Sequence, residues 1–262
     1  MDFARTTTLI TGASTGIGAA FARELAARGS DLVVVARSTD KLRALADELT
    51  TAHGVAVEVL PLDLARPGAA EQLVQRVTEL GREVDVLINN AGFATFGPVA
   101  ESAPDRMAAE VQLNCLTLTD LTARLLPGML ARRRGAVVNI ASTAAFQPVP
   151  RMAVYAATKA YVLSFTEALA AEVRGTGVQA LAVCPGATET PFFAAAGDGI
   201  PDLGRRRRPE QVVAATLAAL AKRRPTVVDG LQNRLMTLGP RLVSRRTAVA
   251  VAGLLTRPRR AA

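Results

Sequence analysis

Thr8-Leu9-Ile10 runs straight into Thr11-Gly12-Ala13-Ser14-Thr15-Gly16-Ile17-Gly18, and no other stretch narrows the fold as much. A short apolar strand enters a glycine-rich turn. The turn opens an amphipathic helix with Ile17, Phe21 and Leu25 on one stripe. Gly12 permits the tight turn, and Gly16 and Gly18 let a backbone and a ligand come close. A helix start in that place offers free amides to a pyrophosphate. The spacing is Gly-x-x-x-Gly-x-Gly, not the more familiar Gly-x-Gly-x-x-Gly fingerprint.

A second pattern lies at Tyr155-Ala156-Ala157-Thr158-Lys159. A tyrosine and a lysine four apart share one helix face. A free phenol titrates near ~10. A nearby ammonium favours the phenolate and is expected to lower that value. Bringing it close to neutrality takes about 4 kcal/mol, more than one exposed charge supplies. A second positive group and partial desolvation are therefore needed.

The turn TGASTGIG, the Asn89-Asn90-Ala91-Gly92 run and the Tyr155–Lys159 pentapeptide stand in an order and at spacings that resemble the short-chain dehydrogenase/reductase family. The resemblance covers about Thr7 to Thr190. It implies an α/β fold: one doubly wound Rossmann-type domain, a parallel sheet with helices on both faces. It also implies a nicotinamide cofactor and a tyrosine–lysine centre. The expected division is a cofactor-binding and catalytic domain over 1–224, with a substrate lid at 191–208, and a C-terminal extension over 225–262 packed on it.

Site residues follow from the same resemblance. Gly12, Ser14, Thr15, Gly16, Ile17 and Gly18 form the phosphate turn. An acidic residue near the end of the second strand would hold ribose hydroxyls; here Ala36 stands there, followed by Arg37. A guanidinium grips a 2′-phosphate that a carboxylate would repel, so NADP(H) is expected over NAD(H). Asp40 reads as part of a helix start after Ser38. Asp63 and Leu64 are expected at the adenine, with Asp63 also a candidate cap for the helix near Gly68. Asn90, Ala91 and Gly92 are expected to line the cofactor, and Asn89 to tie strands together. Pro185, Gly186, Thr188 and Thr190 follow a sixth strand, with Thr190 on the carboxamide and Thr188 making a backbone contact. Tyr155 and Lys159 touch the cofactor as well as the reaction.

The catalytic set expected from the resemblance is Asn114, Ser142, Tyr155 and Lys159. Asn114, inside the helix expected over about 104–125, either supports a water relay or makes a structural polar contact. Ser142 ends a strand and would donate to the substrate oxygen; Thr143 beside it is a rival donor. Phe146, Pro148, Val149, Pro150 and Met152 form an apolar wall, or pack beneath a loop. The wall points to a small hydrophobic carbonyl or alcohol as substrate, reduced or oxidised reversibly; a 3-oxoacyl chain also fits.

Composition excludes several classes. His53 is the single histidine, and Cys115 and Cys184 lie far apart, so no metal site is expected. The net charge of +8 is concentrated in arginine runs, at 132–134, 205–208 and the C-terminus. No nucleic-acid motif accompanies them and there is no tryptophan, so no nucleic-acid partner is expected. Arg132–Arg134 and Arg205–Arg208 read as solvated patches. The segment after Arg223 interleaves Leu235, Met236, Leu238, Leu242 and Val243 with arginines, as amphipathic helices would. Such helices would cover the substrate mouth, pair with another subunit or lie on an anionic membrane; packing on the protein's own domain is the favoured role. No apolar run reaches a membrane span and the start carries no secretory pattern, so a cytoplasmic protein is expected. The helices bearing Asn114 and Tyr155 are apolar on several sides, which points to a homodimer or homotetramer built through them.

Overall fold

Seven parallel strands form one sheet in the order β3-β2-β1-β4-β5-β6-β7 in the computed structural model, which describes residues 2–196 and 206–256. The strands are β1 (Thr7–Thr11), β2 (Asp31–Ala36), β3 (Val57–Pro61), β4 (Val86–Asn89), β5 (Gly135–Ile140), β6 (Val178–Cys184) and β7 (Thr226–Val228). Helices α1 (Gly16–Ala27), α2 (Thr39–His53) and α3 (Ala69–Glu79) connect the first strands. After β4 come α4 (Pro104–Val111), a π-helical segment at Gln112–Thr117, and α5 (Leu118–Ala131). Then follow α6 (Ala153–Glu172), α7 (Phe192–Ala196), α8 (Pro209–Ala221), α9 (Leu231–Leu242) and α10 (Arg245–Leu255). The doubly wound α/β architecture expected from the sequence is the one observed.

Strand alternation divides the core into two layers. Ile10, Leu32, Val34, Val86, Ile88 and Val138 face α1, α2 and α8, against Phe21, Leu25, Leu42 and Val212. Leu9, Val33, Val35, Leu87 and Val137 face the other way, against Leu73, Leu121, Met129 and Leu169 of α3, α5 and α6. Strands covered on both faces read as nearly continuous apolar runs, as these do. Chain order reverses between β1 and β4, so the carboxyl ends of the central strands open into a crevice there.

Buried polar side chains tie the layers. Asn89 Nδ2 donates to Asn139 Oδ1 at 2.9 Å across β4 and β5, and Asn139 Nδ2 donates to Thr166 Oγ1 of α6 at 2.9 Å. Asn89 therefore holds neighbouring strands together, as its sequence position suggested.

Two arginine runs differ from their reading as solvated patches. Arg134 Nε lies 3.1 Å from Asp85 Oδ1, and Arg132 Nη2 donates to Val84 O at 2.9 Å. Asp85 is buried and also accepts from Thr7 N, so this run clamps the start of the sheet. Arg207 Nε pairs with the buried Asp229 Oδ2 at 2.6 Å. Its backbone bonds with Ala187 and Glu189, which fastens the end of the expected lid beside the sixth strand's exit loop. Arg205 and the rest of 197–205 lie outside the described residues, as do the arginines after Thr256. The seventh strand puts 226–228 in the main sheet, so what extends past the sheet is α9 and α10.

Candidate active site

The glycine turn is built by steric demand. Gly12 and Gly16 have φ of +67° and +56°, which side chains rarely tolerate. A Cβ on Gly18 would collide with Gly12 O, and would sit 2.6 Å from Asn90 Nδ2. Asn90 locks the turn by donating to Thr11 O at 2.9 Å and Gly12 O at 3.1 Å. Thr11 Oγ1 in turn accepts from Asn90 N and Ala91 N. Thr15 makes no side-chain cap at the start of α1, and the first turn holds no acid. The first amides of α1 are thus open to an anionic ligand.

The crevice is a cleft of about 700 Å³. Gly12, Ser14, Thr15, Gly16 and Ile17 line one part, with Ala36, Arg37, Asp63 and Leu64 at its outer end. Asn90, Ala91, Gly92, Pro185, Gly186, Thr188 and Thr190 line it too. Gly18 and Asn114 shape the cleft from behind rather than lining it. Arg37 is exposed at the rim, and among the described residues it has no ion pair. Asp63 Oδ1 accepts from Ala65 N at 3.1 Å and caps its own turn; Gly68, not Asp63, precedes α3.

Ser142, Tyr155 and Lys159 converge where β5 meets α6. The Ser142 Oγ accepts from Ala144 N at 3.1 Å, so its hydroxyl hydrogen is the one it can donate, toward Tyr155 or a bound oxygen. Tyr155 is buried, its ring 5.4 Å from that of Phe192. Lys159 is buried as well; its Nζ donates to Ile140 O at 2.7 Å and lies 5.7 Å from the Tyr155 ring centroid. Burial pushes the Tyr155 phenol up to about 12, opposed by a hydrogen bond with Ser142. Burial pulls Lys159 down to about 8. The lowering of Tyr155 by Lys159 expected from the sequence does not appear: the ammonium is turned to the Ile140 carbonyl, and desolvation dominates the phenol.

Asn114 sits in the π-helical segment, the irregularity that breaks the single helix expected over 104–125. Its Oδ1 accepts from Phe93 N, and its Nδ2 donates to Phe93 O at 3.0 Å and to Thr158 Oγ1 at 3.1 Å. It ties the exit of β4 to α6, one residue from Lys159. A Cβ on Gly92 would lie 2.9 Å from Asn114 Oδ1 and 3.5 Å from Lys159 Nζ, so glycine is what allows these groups to crowd together.

Some participants are not evident in the sequence. Glu110 of α4 is fully buried. Its carboxylate faces the side chain and backbone of Thr95, which lie near enough to favour the charged form but short of hydrogen-bond geometry. Burial pushes its carboxyl up, with Thr95, Arg106 and Lys159 opposing. Its charge in turn raises both Tyr155 and Lys159. The extension contributes Asn233, Met236, Thr237, Pro240, Leu255 and Thr256 to the cleft wall. Asn233 packs so closely on Gly186 that a Cβ there would collide with its amide. Phe146, Val149 and Met152 of the expected apolar wall line the cleft, joined by Phe192, while Pro148 and Pro150 do not. The Cys115 and Cys184 thiols are pushed up to about 11 and about 12 by burial, which makes them inert near neutrality. No metal-binding cluster occurs among the described residues.

Comparison with known proteins agrees with this geometry. Residues 6–200 match the family model described as short chain dehydrogenase. A short chain dehydrogenase of Pseudocercospora fijiensis is 38% identical over 70% of this chain and 60% of its own length. A very-long-chain 3-oxoacyl-CoA reductase of Pyrenophora tritici-repentis is 37% identical over 65% of this chain and 51% of its own. The chain thus spans little more than half the length of these two curated relatives. Among solved structures, a short-chain dehydrogenase from Sphingobium yanoikuyae in complex with NADPH has a TM-score of 0.82 at 36% identity, covering 98% of this chain and 97% of that one. A bulky-bulky ketone specific alcohol dehydrogenase from Comamonas testosteroni has a TM-score of 0.78 at 30% identity, covering 98% and 96%.

Proposed function

The chain belongs to the short-chain dehydrogenase family, and from that premise we propose that it is an NADP(H)-dependent oxidoreductase that reduces a hydrophobic ketone or aldehyde to an alcohol, reversibly. The observation that carries this reading is the convergence of Ser142, Tyr155 and Lys159 at the apolar end of a cleft whose other end holds a glycine turn and Arg37. The glycine cradle fits a pyrophosphate, and the rim beside β2 offers a guanidinium with no acid on the strand end, which favours a 2′-phosphate.

Bound there, the nicotinamide supplies the hydride. The chain's residues do the rest. Ser142 Oγ donates to the carbonyl oxygen and orients it. Tyr155, protonated at neutral pH, gives its phenolic proton to that oxygen as general acid. Lys159 holds positive charge behind the phenol and helps position the ribose. Asn114 fixes the backbone of Phe93 and the helix that carries Tyr155 and Lys159. Thr190 would hold the carboxamide, with Thr188 adding a backbone contact. Phe192, Met236 and Leu255 exclude water from the reacting carbon.

A 3-oxoacyl chain is the second substrate reading, supported by the 3-oxoacyl-CoA reductase among the relatives and by the apolar wall. An NADPH-oxidation screen over bulky aryl ketones, steroidal ketones and 3-oxoacyl thioesters separates the two. No turnover with any of them, despite NADPH binding, favours a cofactor-binding regulator and rejects the enzyme reading.

The protein is further read as a homo-oligomer paired through the helical stretch that carries Asn114 and through α6. Leu118 and Leu121 are used by the chain's own core, so the outward apolar residues are Val111, Leu116 and Tyr161 with small neighbours on α6. Light scattering tests this; a monomer mass near 27.4 kDa rejects it.

A further inference from the structure

Helix α9 is used on one side only. Asn233, Met236, Thr237 and Pro240 face the cleft. At 100° per residue, Leu231, Leu235, Leu238 and Leu242 form a single stripe on the opposite side. All four are exposed, from 49% to 83%. Val243 in the connection, and Val249, Val251 and Leu254 on α10, extend the exposed apolar surface. The extension is expected from its sequence to pack on its own domain; α9 meets the cleft with its polar and mixed side, and its leucines point away. Among the described residues no helix is long and apolar enough to cross a membrane.

Charge identifies what this surface suits. Residues 230–262 contain seven arginines, no lysine and no acid, so they account for seven of the chain's eight net positive charges. Arg234 lies beside the leucine stripe, and Arg245 and Arg246 open α10. The same residues include no aromatic side chain. Protein interface centres are enriched in aromatics and carry matched hydrogen-bonding groups. A second copy meeting this face by a two-fold would bring arginines against arginines with no acid to answer them. An aliphatic stripe edged by arginines is instead the pattern that lies in a bilayer interface and favours anionic headgroups.

We propose that α9 and α10 dock the protein on an anionic phospholipid surface, with the leucine stripe at the acyl boundary and the arginines among the headgroups. Docking in this way sets the α9–α10 wall of the cleft against the bilayer. The inference is independent of which reaction the cleft performs.

The test is sedimentation of the full chain with vesicles of phosphatidylcholine alone or with 30% phosphatidylglycerol. Binding to the anionic vesicles is expected to be at least tenfold tighter than to the neutral ones, and to weaken at least fivefold between ~50 and ~500 mM salt. The double variant Leu235→Ser/Leu238→Ser leaves the cleft lining intact and should lose at least tenfold in vesicle affinity. Arg245→Gln/Arg246→Gln, altering only exposed residues, should lose affinity selectively for the anionic vesicles. Absence of anionic-vesicle binding by the native protein overturns the proposal. So does vesicle binding that neither variant changes. A native oligomer that the leucine variant dissociates, with its vesicle affinity unaltered, assigns the stripe to a second copy and likewise overturns it.

Discussion

Replacing Lys159 with methionine separates what the site needs from what the fold tolerates. The lysine is buried, and burial lowers it from 10.5 to about 8. At ~1.36 kcal/mol per pH unit, that difference is worth about 3 kcal/mol against the charged form in the folded protein. Between pH 8 and 10.5 the unfolded chain holds this proton and the folded chain does not, so stability rises with pH across that window. Methionine has similar length and flexibility and no charge. Removing the amine also takes a donor from Ile140 O, a loss of about 1–3 kcal/mol that does not vary with pH. The stability of the native protein relative to Lys159→Met should therefore climb by about 2 kcal/mol between pH 7 and 9.5. Urea unfolding followed by far-ultraviolet circular dichroism measures it, since the chain has no tryptophan. A stability difference that stays flat over this range refutes the claim that a desolvated ammonium is held behind Tyr155. The variant should in addition have no carbonyl turnover.

Other outcomes follow from single contacts. Arg37→Asp should lower the NADPH-over-NADH ratio of kcat/KM by about 10- to 100-fold, the worth of a charge-assisted phosphate contact; a native enzyme that uses both cofactors equally contradicts the role of Arg37. The charge on Glu110 raises Tyr155, so Glu110→Gln should move the rising limb of the pH–rate profile for alcohol oxidation to lower pH, by roughly half a unit; an unchanged profile would exclude electrostatic coupling between α4 and the tyrosine.

Local motifs made the fold and the centre of the site legible in advance. The glycine turn, Asn90 and the Tyr155–Lys159 pair act over a few residues or at strand ends, where position in the chain is nearly position in space. What the sequence left hidden depends on long-range burial. Asp85 meets Arg134 across 49 residues, and nothing near either marks the pair. Periodicity marked α9 as amphipathic but not which side faces the protein; the polar side packs over Gly186 and the leucines turn outward. Asn114 could be singled out as a mid-helix asparagine, yet the π-helical turn that aims it at Phe93 and Thr158 has no simple periodic signature. The upward shift of Tyr155 runs against the lowering that the Tyr155–Lys159 spacing suggested, because depth of burial sets it and only the structure gives that depth.

The most direct test of the account is Tyr155→Phe with NADPH and a bulky hydrophobic ketone that the native enzyme turns over. The ring stays packed against Phe192, and only the transferable proton is lost. Turnover should fall by about 10²- to 10⁴-fold, the usual worth of a positioned general acid, while NADPH affinity by fluorescence titration stays within about twofold. Turnover within tenfold of the native rate would contradict the central claim that Tyr155 delivers the proton.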